Sequence, residues 1–301
     1  MDMTLKLVLA QCMLGLNNGV FYAMLSLGLA IIFGLLNVVN FAHGAFYMTG
    51  AFLALILYSY IGTWVGMAGL HISFWAALVI VPLLVGGLGM LIERFLLRWL
   101  YGLDPIYSLL LTFGITLVLQ GLFINFFNAS GTPYLGQPQL LQGVFNLGFM
   151  MFPKIRLFAI VFSMIVCLVV WLVIEKTRIG AMLRAGTENP RLTQALGINV
   201  PLMVTLTFGF GTGLAGLAGV LAAPIYSVSP LMGANLIIVI FAVVVIGGMG
   251  SIMGAVVTGF GLGIVEGITK VFYAPASDTV IFFLMVVILL VRPAGLFGRQ
   301  R

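Results

Sequence analysis

Long apolar runs follow one another along most of this 301-residue sequence, separated by short polar loops. A transmembrane helix needs roughly 20 apolar residues. Only 7% of the residues are charged, whereas a soluble domain has about 25%, so an integral membrane protein is predicted. The runs are expected to be helices, because open strand edges leave backbone groups without partners in lipid. The predicted spans are 10–36, 42–61, 72–97, 106–127, 156–175, 202–223, 235–249, 252–269 and 279–292.

Basic residues are distributed unevenly between the two sets of loops that nine spans define. One set, with its span ends, holds nine Lys and Arg residues and the other holds four, so the first set is predicted to be cytoplasmic. The first run carries Gln11, Asn17 and Asn18 and could begin as an interfacial turn, which leaves eight spans as the alternative. The nine are Arg94, Arg98, Lys176, Arg178, Arg184, Arg191, Arg292, Arg299 and Arg301.

Two polar breaks between spans resemble one another weakly. Residues 34–51 and 222–239 each contain a break followed by a Gly-Ala step, at Gly44 and at Gly233. In the predicted topology the first break is inside and the second is outside. This arrangement is typical of an inverted-topology repeat.

The cytoplasmic loop at 176–201 is the least apolar long stretch. Six of the 20 charged residues fall between Glu175 and Arg191. Thr187 is predicted to cap a short helix that has Pro190 in its first turn and Gly197 as its stop. Its predicted apolar face consists of Leu192, Ala195 and Leu196. Periodicity alone favours a helix on the lipid surface over a docking helix for a soluble partner.

Polar residues inside the spans are few. Asn37, Asn40 and His43 recur at near-helical spacing. They fit either a translocation path or a helix break whose side chains satisfy local backbone groups, and the second interpretation is favoured. The glycine pair Gly247 and Gly248 is assigned to the same candidate path, although close helix packing is the usual role of such residues.

One acidic residue, Glu266, lies well inside an apolar run. Lys270 follows four residues later, which is the favourable order for a helical ion pair. The pair is predicted near the outer end of its span, where a long side chain reaches water at little cost. The two histidines, His43 and His71, do not suggest a metal site, and no Gly-Lys pair is present for a phosphate-binding loop.

Five stretches together resemble the permease subunits of branched-chain amino-acid ABC importers, of the LivH type. They are spread over nearly the whole chain. They read NVVNFAHGAFYMTGAF (37–52), RAGTENPRLTQALGINV (184–200), GLAGLAGVLAAP (213–224), VIGGMGSIMGAVVTG (245–259) and RPAGLFG (292–298).

The resemblance implies a multi-pass subunit of a bacterial inner membrane with no cofactor or metal of its own and no nucleic-acid partner. Its partners would be a second related permease, two cytoplasmic ATPases that bind ATP and Mg, and an extracytoplasmic substrate-binding protein. Residues 184–199 would form the helix that couples to an ATPase. The positions that match the family motif are Arg184, Ala185, Glu188, Gly197 and Ile198. The residues predicted to couple to the ATPase are Arg184, Ala185, Glu188, Asn189, Pro190, Arg191, Ala195 and Gly197.

Three positions depart from the family pattern. Ala45 stands where an acid often follows the His-Gly pair, which leaves the substrate open. Asn189 replaces a common acid and Thr193 a common alanine in the loop, which bears on the fit to a particular ATPase.

The sequence therefore predicts an all-α polytopic membrane protein with eight to nine transmembrane helices, an inverted repeat and a cytoplasmic coupling helix. The chain would form a single transmembrane permease domain over 1–301, with its coupling loop at 176–201. The predicted function is the non-enzymatic permease subunit of an ATP-driven importer for branched-chain or other hydrophobic amino acids, working by alternating access. The alternative is an ion-coupled secondary transporter of small organic solutes that uses Glu266.

Overall fold

The computed structural model describes residues 3–36, 40–61 and 72–298. Every one of the nine predicted apolar runs contains a helix, and two further helices lie in the loop at 176–201. The α-helices of the described residues are α1 (Met3–Leu36), α2 (His43–Leu55), α3 (Phe74–Phe95), α4 (Pro105–Phe127), α5 (Lys154–Lys176), α6 (Arg178–Glu188), α7 (Pro190–Ala195), α8 (Val200–Ala222), α9 (Met232–Gly247), α10 (Ile252–Phe272) and α11 (Val280–Val291).

Six of these helices are long and apolar enough to cross a membrane, namely α1, α3, α4, α5, α8 and α10. The helices α9 and α11 are apolar but shorter. Helix α2 has 13 residues, and one π-helical turn at Ile56–Tyr60 extends it. The all-helical, multi-pass architecture is thus confirmed, whereas the count of eight or nine spans stays a prediction.

Short polar side chains mark the points where several long helices begin. The side chain of Asp104 accepts from the Ile106 N–H at 2.9 Å, and that of Asn199 accepts from the Leu202 N–H at 3.0 Å. Ser251 caps α10 through the Gly254 N–H at 3.1 Å. Such caps satisfy N–H groups that have no acceptor in the first turn, so the loop residues fix where each span starts.

A small hairpin lies in the loop between α4 and α5. Its strands are β1 (Val144–Asn146) and β2 (Met151–Pro153), which pair antiparallel with Phe145 opposite Phe152. Phe152 is fully buried, while the side chains of β1 are exposed. The loop is therefore ordered by one buried aromatic ring.

The chain forms two compact units, each assembled from separate segments. Unit 1 consists of Met1–Leu27, Gln137–Leu168 and Ile238–Arg301, and unit 2 consists of Gly28–Gly136 and Val169–Ile237. In unit 1, α1 and α10 meet through glycines spaced four residues apart. A methyl group at Gly263 would lie 2.5 Å from the Gly15 carbonyl oxygen, so the two backbones touch. This is the small-residue packing of membrane helices.

Helix α8 is the centre of unit 2. Its glycines face three neighbouring segments, because Gly211 meets Gly28, Gly216 meets Gly50 of α2, and Gly209 meets Gly86 of α3. The ring of Phe208 on the same helix meets Phe46 edge to face, with centroids 6.4 Å apart. The GFGTGLAGLAG stretch therefore serves helix packing, as its small-residue spacing predicts.

Candidate functional site

The predicted coupling loop folds as two helices that belong to unit 2. The helix α6 ends at Glu188 and α7 begins at Pro190. The N-cap prediction of Thr187 is wrong: Asn189 caps α7 by accepting from the Leu192 N–H at 3.0 Å. A residue before proline is pushed out of the helical region, and Asn189 accordingly is extended at φ −146° and ψ 90°. Thr187 lies in the last turn of α6, where its hydroxyl donates to the Arg184 carbonyl.

The predicted end of α7 is confirmed. Gly197 has φ +86°, a left-handed conformation that glycine adopts without cost. Its N–H donates to the Gln194 carbonyl at 2.9 Å, which closes the last turn. The chain then reaches Asn199, the cap of α8, within two residues.

The apolar face predicted for α7 is not buried. Leu192 is 59% and Leu196 is 74% exposed, whereas Thr193 is the buried residue of this short helix. The Thr193 hydroxyl donates to the Asn189 carbonyl at 2.9 Å, a bond between α7 and its own N-cap residue. All eight predicted coupling residues are also exposed. The loop presents a mixed surface of leucines and charges.

Side-chain and backbone contacts fasten α6 to the helices on either side of the loop. Arg184 donates to the Ile174 carbonyl at 2.9 Å and lies 3.6 Å from the Glu175 carboxylate. At the other end, a methyl group on Gly186 would lie 2.3 Å from the terminal carbon of Met203 in α8. Gly186 of α6 therefore packs against a side chain from the first turn of α8.

An apolar cavity of about 450 Å³ lies beside α6 within unit 2. Its lining is almost entirely aliphatic and aromatic and includes Ile174, Ile179, Met182, Leu202, Leu206 and Phe210. The side of α6 that carries Ile179 and Met182 faces this space. The apolar side of the amphipathic helix α6 thus lines this cavity.

The polar break before α2 has its backbone groups satisfied by side chains. The buried Asn40 accepts from the Ala42 N–H at 3.1 Å. From α4, Thr112 accepts from the Phe41 N–H at 3.2 Å, and Thr116 donates to the Phe41 carbonyl at 3.4 Å. These bonds agree with the favoured interpretation of a helix break. His43 is buried in α2, while Asn37 and His71 lie outside the described residues.

The two Gly-Ala steps that the sequence pairs are in direct contact. A methyl group at Gly44 would lie 2.4 Å from the Gly233 carbonyl oxygen, and one at Gly233 would lie 2.0 Å from the Gly44 carbonyl oxygen. Both glycines are in the first turn of a short helix, α2 or α9. The positive ends of two helix dipoles therefore meet at this point, which favours negative charge there.

The glycines Gly247 and Gly248 are in unit 1, packed against the C-terminal segment. Gly248 has φ +99°, and a methyl group there would lie 2.4 Å from the Gly298 nitrogen. The Phe297 N–H donates to the Gly247 carbonyl at 3.2 Å. Backbone packing is the role that the structure gives this pair.

The predicted ion pair between Glu266 and Lys270 is present, with Nζ 2.5 Å from Oε1. The prediction placed the pair where a long side chain reaches water, yet the carboxylate itself is buried, since Glu266 is 3% exposed. Tyr22 donates to Oε2 at 2.7 Å and Asn18 donates to Oε1 at 3.0 Å, both from α1. Helix α1 thus supplies the donors that make burial of this acid tolerable.

A second buried acid, Glu93, escaped the sequence prediction because it lies near the end of an apolar run beside several arginines. It is 0% exposed. Its carboxylate accepts from the Thr205 hydroxyl at 2.5 Å and from the Tyr101 hydroxyl at 3.1 Å, and Arg98 lies 3.4 Å away. Burial, and then the Glu93 carboxylate, raise the pKa of the Tyr101 phenol, which keeps it a donor.

Comparison with known proteins gives a consistent result over nearly the whole chain. The model of the family "Branched-chain amino acid transport system / permease component" matches residues 12–290. The chain is 32% identical over 300 residues to the high-affinity branched-chain amino acid transport system permease protein BraD of Pseudomonas aeruginosa, covering 97% of this chain and 96% of that protein.

Two further relatives come from other organisms. The LivH permease protein of Escherichia coli K12 is 28% identical over 301 residues, with 97% and 96% of the chains covered. A probable LivH permease of Methanocaldococcus jannaschii is 31% identical over 287 residues, with 91% and 88% covered. No solved structure matches the chain at a significant level. The extent of the family match, the apolar spans and the shared length of the relatives place this chain in the family of branched-chain amino acid transport permease components.

Proposed function

We propose that this chain is the membrane permease subunit of an ATP-driven ABC importer for branched-chain or other hydrophobic amino acids. Family membership supports the transport role. In this proposal a second related permease completes the pathway, and two cytoplasmic ATPases bind ATP and Mg. An extracytoplasmic binding protein delivers the substrate to the permease at the outer face of a bacterial inner membrane. The permease alternates between inward and outward openings.

The observation that carries the ATPase partnership is the surface of α7. Leu192 and Leu196 are exposed on the same short element as Arg191. Exposed leucines among charges suit a groove of a soluble protein, since such a groove offers both apolar and polar partners.

The break at Gly44 and Gly233 suits a gate in the pathway. The two short helices α2 and α9 begin where their backbones touch. Interrupted helices in corresponding positions of two halves are typical of an inverted repeat with its path at the interruption. We assign Asn40 and His43 to the lining of this path, which opens when α2 and α9 separate, while the assignment of Asn37 stays a sequence prediction because it lies outside the described residues.

The decisive experiment tests α7 in the complete transporter, reconstituted in proteoliposomes with candidate ATPase and second permease subunits. Leu192→Asp is expected to reduce ATPase co-purification and ATP-dependent uptake together. The control is Leu140→Asp, because Leu140 is also an exposed leucine, at 77% against 59% for Leu192, and lies in the loop between α4 and α5. Full ATPase binding by the Leu192→Asp variant would overturn the assigned docking surface.

A second arm separates this function from ion coupling. Glu266 is already bonded to Lys270, Tyr22 and Asn18 and is assigned a structural role. Uptake by the permease without any ATPase subunit, driven by an ion gradient and abolished in Glu266→Gln, would overturn the proposal in favour of a secondary transporter.

A further inference from the structure

We infer that Glu93, Arg98 and Thr205 form a joint that transmits movement of the coupling loop to α3, so that Thr205 and Arg98 are positioning residues for transport. This inference rests on the proposed function, because it assumes that energy enters through α6 and α7. The joint, defined as these three side chains with the Pro201 carbonyl, lies wholly within unit 2.

The geometry of the joint ties one helix start to one helix end. Glu93 is in the last turn of α3, and Thr205 is in the second turn of α8. The Thr205 hydroxyl lies 2.5 Å from the Glu93 carboxylate. Arg98 donates to the Thr205 hydroxyl at 2.6 Å and to the Pro201 carbonyl at 3.1 Å. One guanidinium therefore holds both a side chain and the backbone of α8.

The position of the joint along the chain links it to the coupling loop. Helix α8 begins at Val200, three residues after Gly197 closes α7. Met203, between the two residues that Arg98 holds, is also the residue against which Gly186 of α6 packs. A push from α6 or α7 thus arrives on the turn of α8 that the joint clamps.

The chemistry of the joint makes it stiff. Hydrogen bonds that involve charged groups are shorter and stronger than neutral ones, especially where burial excludes water. Glu93 is fully buried, so loss of one of its three partners leaves its charge less fully compensated where water cannot substitute. Behind the joint, a methyl group at Gly86 of α3 would lie 2.8 Å from the Gly209 carbonyl, and so α3 and α8 have no slack between them. The two helices are expected to move together.

A structural role for the joint does not by itself explain why it is placed here. Stability alone would be served by apolar side chains of the same volume, which are often as good as a buried ionic network. A network with fixed hydrogen-bond geometry instead specifies one arrangement of α3 against the start of α8. That property matters where force is delivered to the start of α8.

The test uses Thr205→Val, which removes the hydroxyl and keeps the shape, in the complete reconstituted transporter. Substrate uptake and ATP hydrolysis are measured in the same proteoliposomes, and the readout is uptake per ATP hydrolysed. Residues on a coupling route change coupling by 0.5–2 kcal/mol, so we expect this ratio to fall roughly 2- to 30-fold while hydrolysis persists. Thr205→Ser, which restores the hydroxyl, should recover the ratio.

The matched control is Thr207→Val, because Thr207 is on the same helix and equally buried but lines the apolar cavity instead of the joint. Its ratio should match that of the unmodified chain. Arg98→Lys provides a second variant, since lysine keeps the charge but its shorter side chain does not place a nitrogen where Nη2 of Arg98 meets Glu93, Thr205 and the Pro201 carbonyl. It should lower the ratio as Thr205→Val does, and the double variant should be no worse than either single one.

Three outcomes would overturn parts of this scheme in different ways. An unchanged ratio in Thr205→Val and Arg98→Lys overturns the joint. A fall in uptake and hydrolysis that simply follows the amount of assembled complex also overturns it, because the role is then only structural. Absence of ATP-dependent uptake by the unmodified chain with its ATPases overturns the proposed function itself.

Discussion

Two helix pairs in this protein are built alike, one in each compact unit. In unit 1, α1 packs against α10 through glycines, and in unit 2, α3 packs against α8 in the same way. Each pair also buries one glutamate, Glu266 or Glu93, that accepts from a tyrosine and a cation. In each pair, close backbone packing is thus accompanied by a buried carboxylate at another point along the two helices.

The cations that contact the two glutamates differ in type and position, and so do their structural roles. Lys270 is on the same helix as Glu266 and provides a single charge at i+4. Arg98 lies beyond the end of α3 and reaches across to the Pro201 carbonyl and to Thr205. An ammonium neutralises its partner, whereas a guanidinium also fixes geometry. We therefore expect the Glu266 network to stabilise the packing of α1 on α10, and the Glu93 network to fix the alignment of α3 with α8.

The largest effect is expected where a side chain is forced between the packed backbones. Gly86→Leu and Gly263→Leu each place atoms where a methyl group alone already lies 2.8 or 2.5 Å from a backbone oxygen. Overpacking usually costs about 1–3 kcal/mol, and more where the neighbour is backbone that cannot move aside. Both variants should lose most of the folded protein in size-exclusion profiles of detergent extracts.

The chain supplies its own controls for this prediction. Nothing lies within 4 Å of a methyl group at Gly87 or Gly261, which are one and two residues away on the same helices. Gly87→Leu and Gly261→Leu should give normal profiles. Equal loss in the control variants would mean that glycine flexibility, and not close packing, is what α3 and α10 require.

A smaller effect is expected from removing the unit 1 carboxylate. Glu266→Ala leaves Tyr22, Asn18 and Lys270 without their acceptor, and an unsatisfied buried polar group costs about 1–3 kcal/mol. Because Lys270 is partly exposed, water offsets some of this loss. A thermal unfolding midpoint measured in detergent should fall for Glu266→Ala and fall less for Glu266→Gln, which retains an acceptor. Equal midpoints in the two variants would contradict a hydrogen-bonding role.

The sequence predicted the helices of these pairs more completely than their contacts. Run length and the scarcity of charge located a helix in every predicted run, and Gly197 and Pro190 located the ends of α7, because each of these signals is local. The contact between Gly44 and Gly233 was not predicted, because the sequence matched them only as corresponding points of a repeat and placed the two breaks on opposite sides of the membrane. The cap was misplaced at Thr187 because the constraint that proline puts on Asn189 outweighs the preference of threonine for caps.

The Glu93 network could not be predicted, because Thr205, which joins it to α8, is far from Glu93 in sequence. Glu266 has its cation at i+4, which periodicity reveals, whereas Glu93 is joined to Thr205 across 112 residues. An acid followed by arginine near a span end looks like ordinary cytoplasmic charge. The available signal for the network was Thr205, whose hydroxyl lies one turn into an apolar helix. Most such hydroxyls donate to the backbone of their own helix, so this signal did not single out Glu93 as the partner.

A smaller effect, of about 1.5 kcal/mol, is expected at the two tyrosines that donate to the buried glutamates. Tyr22 donates to Glu266 at 2.7 Å in a buried site, and a hydrogen bond to a charged group contributes roughly 1.5–3 kcal/mol. Tyr101 donates to Glu93 at 3.1 Å from a partly exposed position, and Arg98 and Thr205 support the same carboxylate. Tyr22→Phe should therefore lower the unfolding midpoint more than Tyr101→Phe. The reverse order would show that the unit 2 network depends on its tyrosine.

The smallest effect concerns the caps of α8 and α10. Asn199 and Ser251 each accept one N–H in the first turn, and loss of such a cap costs about 0.5–2 kcal/mol. The first turn of α8 is also held by Arg98 on the Pro201 carbonyl, and Ser251 has no counterpart to that bond among the described contacts. Hydrogen exchange should therefore accelerate more at 252–255 in Ser251→Ala than at 202–205 in Asn199→Ala. If α8 frays as much as α10, Arg98 does not restrain the backbone, and the two pairs differ only in which cation neutralises the glutamate.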